Sequence, residues 1–275
     1  MKFQVKALVA ALAVIASVPA QAAMDLTTTG SGSMVLAVFD SVAGVSAAFD
    51  LGKSYSDFSI IGASFADSNV DAVGTSFSWN LTQGDYATAW STFLPLVNPA
   101  NLQWAVLGGD NFGSGVGNRG IIGTLNQETV TSITTPSLTT QLGALNAYMT
   151  GAPVASTQIV TNHSAVANGA NVSNSTSTNA NFLTLLSTGK TNGAGSVVVG
   201  NIGDSMAVYQ QVTGNATGFA TGSVFANNAA FRLTSNGALT YSTDPLVTPV
   251  PEADSWAMML LGLGFMGFAA RRKQA

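Results

Sequence analysis

The sequence predicts a mainly β protein: an antiparallel β-sandwich-like exported domain with two or three short helices, plus an N-terminal signal helix and a C-terminal transmembrane helix. Three observations predict it. Short apolar stretches alternate with polar residues between Gly, Asn and Asp punctuation, the pattern of half-buried strands and their turns. Only 8% of the 275 residues are charged, whereas 29 are Gly, so the surface must be solubilised by hydroxyls and amides. Apolar runs of helix length without a polar face lie at the two ends.

At the N-terminus, Lys2 and Lys6 form a positive region ahead of an apolar stretch from Ala7 to Val18. Ala20-Gln21-Ala22 then supplies a small-x-small cleavage site, with Ala20 and Ala22 as the small residues, so residues 1–22 read as a secretory signal peptide. Residues 23–249 form the exported domain. With no Cys in the chain, that domain is stabilised by its core and not by disulfides.

Within the domain, Ser33 to Phe39 and Val45 to Phe49 flank Asp40–Gly44 and read as a hairpin. Thr75 to Leu81 places Phe77, Trp79 and Leu81 on one face and Ser76, Ser78 and Asn80 on the other. Asp85 caps a helix carrying Ala89, Trp90, Phe93, Leu94 and Val97, and Ser137 after Pro136 starts another carrying Leu138, Leu142, Leu145 and Tyr148. Strands are expected at Gln103–Leu107, Met206–Val212 and Gly218–Phe225. A final pair, Ala230–Thr234 and Ala238–Ser242, has Asn236-Gly237 at its centre, a strong hairpin signal. Between about 152 and 200 the chain turns polar and rich in Ser, Thr and Asn, and it reads as an insertion with an apolar island at Phe182, Leu183, Leu185 and Leu186. A β-solenoid is the second reading of that stretch, without a fixed period to support it. Asn-x-Ser/Thr sequons begin at Asn80, Asn162, Asn171, Asn174 and Asn215 and are expected by chance in so Asn- and Thr-rich a chain.

The tail, residues 250–275, begins Val250-Pro251-Glu252, continues as an apolar run from Trp256 to Ala270 and ends in Arg271-Arg272-Lys273. As a helix, residues 256–270 would span roughly 22 Å against a hydrocarbon core of about 30 Å, and the basic cluster would resist crossing. Snorkelling of Arg271, Arg272 and Lys273 makes up the difference. This tail resembles the PEP-CTERM sorting signal of Gram-negative bacteria. The resemblance implies a substrate of an exosortase, a membrane processing enzyme, with Val250, Pro251 and Glu252 as the recognised motif. It also implies transient anchoring in the inner membrane and delivery to the cell surface near exopolysaccharide. An ordinary C-terminal anchor is the plainer alternative.

Between Ala23 and Val250 eleven acids face four bases, Lys53, Arg119, Lys190 and Arg232. Nucleic acid is therefore not expected as a partner, because phosphate neutralisation needs clustered Lys and Arg. Gly115-Val-Gly117-Asn-Arg-Gly120 has dinucleotide-loop spacing, but Ile121-Ile122-Gly123-Thr124 does not open a helix. Gly189-Lys190-Thr191 lacks the first glycine of a phosphate loop. Ser187-Thr-Gly-Lys190 has S-x-x-K spacing without companion motifs, and the single His163 lies in a polar loop. One His and no Cys exclude a tight zinc site.

Asp40, Asp50, Asp57, Asp67 and Asp71 are clustered in sequence, and Asp40, Asp50 and Asp57 are the weak Ca²⁺ candidates; they lack the alternation of a calcium loop, and turn chemistry is the plainer explanation of the same aspartates. No cofactor is expected. The reading is a non-enzymatic matrix or biofilm protein exported by the Sec machinery and associated with exopolysaccharide. The alternative is a secreted carbohydrate-binding module or glycoside hydrolase, with paired acids such as Asp50 and Asp57, or Asp110 and Glu128, beside Trp79, Trp90 or Trp104. Those three tryptophans are expected in the core.

Overall fold

Among the described residues eleven strands, β1 (Ser33–Asp40), β2 (Val45–Ser54), β3 (Ser76–Asn80), β4 (Leu102–Asp110), β5 (Gly120–Leu125), β6 (Asn171–Ser173), β7 (Gly200–Asn201), β8 (Ser205–Val212), β9 (Thr221–Val224), β10 (Ala230–Leu233) and β11 (Ala238–Ser242), join in one antiparallel sheet. The computed structural model describes residues 24–61, 67–113, 117–125, 132–150, 166, 169–173, 199–214 and 218–244. Strand order is β3-β11-β10-β8-β5-β4-β1-β2-β6, with β7 added beside β4 and β9 beside β8. Among the described residues three α-helices accompany the sheet: α1 (Tyr55–Phe58), α2 (Tyr86–Phe93) and α3 (Thr135–Thr150). The expected signal helix at 1–22 and transmembrane helix at 256–270 lie outside the described residues. Among the described residues no helix is long and apolar enough to cross a membrane.

The antiparallel β expectation holds, but a two-sheet sandwich is not what these strands form. A single sheet curls on itself like a half-barrel, so one sheet supplies both walls of the core. Strands β2 and β3 stand far apart in the strand order, yet the Trp79 indole N–H donates to the Leu51 carbonyl at 2.7 Å. Tyr86, at the start of α2, donates its hydroxyl to the Asp50 carbonyl. Side-chain donors thus satisfy carbonyls in the stretch of β2 where its register with β1 shifts. The enclosed core is aromatic. Phe49 packs against Tyr86 and Trp90 at centroid separations of 5.8 and 6.2 Å, while Phe58 meets Phe231 and Tyr241 at 5.8 and 5.2 Å.

The outer face of the central strands is buried too. Val35, Ala37, Phe39, Ala105 and Leu107 pack under Leu145, Tyr148 and Met149 of α3, and Ile121, Leu125 and Tyr209 pack under Leu138 and Leu142. Each such leucine contributes about 1.5–3 kcal/mol. Helix α3 presents the four predicted residues to the sheet; it starts at Thr135, two residues early, where the Thr134 hydroxyl accepts the Ser137 amide at 3.4 Å. Close approach of helix and sheet depends on Gly109, since an added Cβ there would lie 2.4 Å from Leu142.

Local signals give most hairpins. Asp40 closes the β1–β2 turn by accepting the Val42 and Ala43 amides at 2.8 and 3.0 Å, and Gly44 takes φ +69°. Strand β3 alternates as its sequence predicts, with Phe77 and Trp79 half-buried and Ser76, Ser78 and Asn80 exposed. At Asn236-Gly237 only Gly237 has positive φ, +80°, so the β10–β11 connection, Thr234–Gly237, is not a two-residue Asn-Gly turn and ends with Gly237 in the left-handed position. Asp85 occupies the α2 N-cap without a side-chain capping bond, and Leu94 is exposed instead of facing the core, because α2 gives way at Leu94 to a 3₁₀ turn containing Pro95. Strand β9 is shorter than Gly218–Phe225, and β4 runs on to Asp110. Of the polar insertion near 152–200, only Val166, residues 169–173 and residues 199–200 are described; Asn171–Ser173 pairs with β2 as the edge strand β6.

Candidate functional site

Three buried or capping carboxylates meet a row of serines where the chain enters β1, leaves β2 and leaves β4. Gly30 and Ser31, at φ +87° and +49°, turn the chain so that the Ser31 amide donates to the Asp110 carboxylate at 2.5 Å. The Ser31 hydroxyl pairs with that of Ser56 at 2.6 Å and accepts the Ser56 amide at 3.0 Å. Ser33 donates its hydroxyl to Asp50 at 2.6 Å, and the second Asp50 oxygen accepts the Gly52 amide at 2.8 Å. Ser54 and Asp57 form a reciprocal capping box on α1. Asp110 also accepts the Phe112 amide at 2.7 Å.

These carboxylates are spent on amides and hydroxyls. Asp50 and Asp110 are buried, while Asp57 is exposed on the α1 cap. Asp40 stands at the far end of β1, five residues from the Val35 position paired with Asp50, or about 17 Å along the strand. Asp67 accepts the Asn69 amide and Asp71 accepts the Ala226 amide. The structure therefore scatters Asp40, Asp50 and Asp57 among separate turn and cap duties. Among the described residues no group of three or more His, Cys, Asp or Glu is placed to hold a metal ion.

Asp40 and Asp50 respond oppositely to their surroundings. At Asp40 burial disfavours the charge, but the Asn98, Ala43 and Val42 amides and the Asn101 side chain outweigh it and hold the carboxyl below 3.8. At Asp50 burial, with the negative charge of Asp25, outweighs the bonds from Ser33 and Gly52 and raises the carboxyl above 3.8. A lowered folded pKa adds stability above the unfolded value, and that stability is lost as pH falls through the folded one; a raised carboxylate pKa does the reverse. Asp40→Asn is expected to cost about 1–3 kcal/mol at pH 7, since an amide nitrogen cannot accept the Asn98 N–H. The cost should shrink below pH 3.8. Asp50→Asn also gives up one of two accepted bonds but removes a charge that burial disfavours, so it is expected to cost less at pH 7 than Asp40→Asn. Urea unfolding across pH 3–7 reads both signs.

The aromatic candidates are structural. Trp104 is fully buried and donates its indole N–H to Asn201 at 2.8 Å, Trp90 is buried, and Trp79 is half-buried against the same core. The large exposed aromatics among the described residues are Phe112 and Phe219, on the β4–β5 and β8–β9 loops. An open hollow of about 420 Å³ is lined by Ser205, Ala207, Val224, Phe225 and Asn228–Ala230, with no titratable side chain.

At the described end of the Gly-rich segment Gly117 donates to Thr213 at 2.7 Å, and Gly120 opens β5 where a nucleotide loop would lead into a helix; Gly115 lies outside the described residues. Asn80 is exposed, its amide oxygen engaged by the Thr82 amide and hydroxyl, and Asn171 is half-buried in β6. Glu128, Asn162, His163, Asn174, Ser187, Lys190 and Asn215 lie outside the described residues. So do Ala20, Ala22, Val250, Pro251, Glu252, Arg271, Arg272 and Lys273.

Sequence reasoning missed a residue with dense polar contacts, Gln210. Its amide N–H₂ donates to the Tyr55 hydroxyl, the Ser59 hydroxyl and the Ile61 carbonyl at 2.6–2.9 Å, and its oxygen accepts the Ile60 and Ile61 amides at 2.7 and 2.9 Å. Ser54-x-x-Asp57 was the readable signal for the helix it anchors.

Residues 249–273 match the family described as the PEP-CTERM protein-sorting motif. No curated protein and no solved structure matches the chain. The tail thus carries a PEP-CTERM sorting signal, which implies export, sorting at the membrane and processing by an exosortase. The body is not recognised.

Proposed function

We propose that this chain is a non-enzymatic matrix protein, exported through the Sec machinery by residues 1–22 and held transiently by its tail. An exosortase acting at Val250, Pro251 and Glu252 then delivers it to the cell surface, where the body associates with exopolysaccharide. The single observation that carries this reading is the sorting motif at residues 249–273. The body supports it. Its surface is poor in charge, Trp90 and Trp104 are committed to the core, and Asp50 and Asp57 spend their oxygens on Ser33, Gly52 and the α1 cap. Hydroxyls and amides on such a surface match the hydrogen-bonding needs of a hydrated polysaccharide. The test is co-sedimentation of the purified residues 23–249 with exopolysaccharide from the native host. Retention in the polymer pellet without any release of reducing sugar ends is expected. Polymer cleavage, or a body that stays in the supernatant, would contradict the reading.

A further inference from the structure

We propose that the free edge of β3 pairs with β3 of a second copy of this chain, extending the sheet across a two-fold axis. The register fixes which groups face outward. Leu81 donates to Gly237 and Thr243 donates to Thr75 at 2.9 and 3.0 Å, so residues 75, 77, 79 and 81 direct their amides and carbonyls to β11. Ser76, Ser78 and Asn80 direct theirs away. Among the described residues the Asn80 carbonyl already accepts the Gln83 amide at 3.2 Å, and no other hydrogen bond reaches those outward backbone groups.

This edge lacks the usual protection. Strand edges are blunted by charge, proline, bulges or shortness. Ser76–Asn80 has no charged residue and no proline, its pairing with β11 is regular, and at five residues it outlasts the edge strand β6, which has three. The outward side chains of Ser76, Ser78 and Asn80 are small, polar and exposed. Lys53 sits over the Phe77 ring, 4.7 Å from its centroid, on the other face of the strand.

A second β3 run antiparallel about an axis at Ser78 places Ser76 opposite Asn80 of the other copy and Ser78 opposite Ser78. Every outward amide then meets a carbonyl, because an isologous contact reuses one surface on both sides. A strand of unrelated sequence gains the same ladder but not the match of uncharged, small side chains across it. This pairing stands on the body alone and does not depend on the sorting tail.

The experiment uses residues 23–249 without ligand. Sedimentation equilibrium up to about 1 mM should show reversible dimers, as a small interface requires. Ser78→Lys and Ser78→Glu each change an exposed side chain and should unfold at the wild-type midpoint while weakening dimers roughly 100-fold through like-charge contact. Mixing the two variants should restore association. The chain has no Cys, so Ser78→Cys supplies a lone thiol that should oxidise rapidly to a disulfide dimer. Thr240→Cys, on β11 beside Ser78, should remain monomeric, being about 14 Å from its copy. A wild-type body that is monomeric throughout would overturn the homotypic pairing and leave the edge to another protein's strand. Dimers indifferent to Ser78→Lys, or equal cross-linking at Thr240→Cys, would overturn it as well.

Discussion

Gln210→Leu is expected to lower the unfolding free energy of the body by about 3–5 kcal/mol. Leucine keeps most of the volume and removes the side-chain hydrogen bonds by which Gln210 holds residues 55–61. The Ile60 and Ile61 amides lose their acceptor, and the Ser59 hydroxyl and Ile61 carbonyl lose a donor. Each buried group left unsatisfied costs about 1–3 kcal/mol. Partial wetting of the site holds the total below the sum. Gln210→Glu separates this account from a packing effect. A glutamate can accept the two amides but loses its donors, and in this buried position its folded pKa would be raised. Its stability should therefore fall as pH rises through that value, whereas Gln210→Leu should be pH-independent relative to wild type. Urea midpoints at pH 5 and pH 8 decide between them; a Gln210→Leu protein within 1 kcal/mol of wild type would remove Gln210 from its central place.

Gly120→Ala should cost about 3 kcal/mol or more, although alanine suits an ordinary strand no worse than glycine. A Cβ at Gly120 would lie 1.8 Å from the Tyr55 hydroxyl oxygen and 2.9 Å from the Gln211 carbonyl. Tyr55 is fully buried and held by Gln210, so it cannot swing away without breaking that network. Burial also raises the Tyr55 hydroxyl well above its ordinary value of 10.0, so it stays a neutral hydroxyl. Tyr55→Phe removes the clashing oxygen and should recover part of the loss in a double-mutant cycle, with a coupling of about 1 kcal/mol or more. Additive single effects would mean that the clash is relieved by backbone movement instead.

These two sites show what the sequence could and could not disclose. Hairpins were legible where a turn residue and a period-2 pattern coincide, as at Asp40–Gly44 and in β10 and β11. Helix α3 was legible because its apolar spacing of three and four residues has one solution. The curl of a single sheet was not. The Trp79–Leu51 and Gln210–Ile60 bonds join residues 28 and 150 positions apart, and no local pattern encodes such closure. Strand β5 was hidden because Gly120 and Gly123 read as loop residues, whereas they are small to admit Tyr55, Leu107 and Tyr209. The carboxylates looked like ligands in sequence because turns, caps and ion sites all use Asp. Geometry separates these uses: at Asp40, Asp50 and Asp57 the donors are amides and serine hydroxyls. The sorting tail was legible for the opposite reason, since its information is linear and is read by another protein.

Intact-mass measurement of the protein in surface and medium fractions of its native host, beside Pro251→Ala and Glu252→Gln variants, tests tail-directed sorting most directly. The account predicts a species that begins near Ala23 and ends between Val250 and Asp254, and that is lost in both variants. A species retained in the membrane with its tail intact to Ala275, and indifferent to both substitutions, would contradict it.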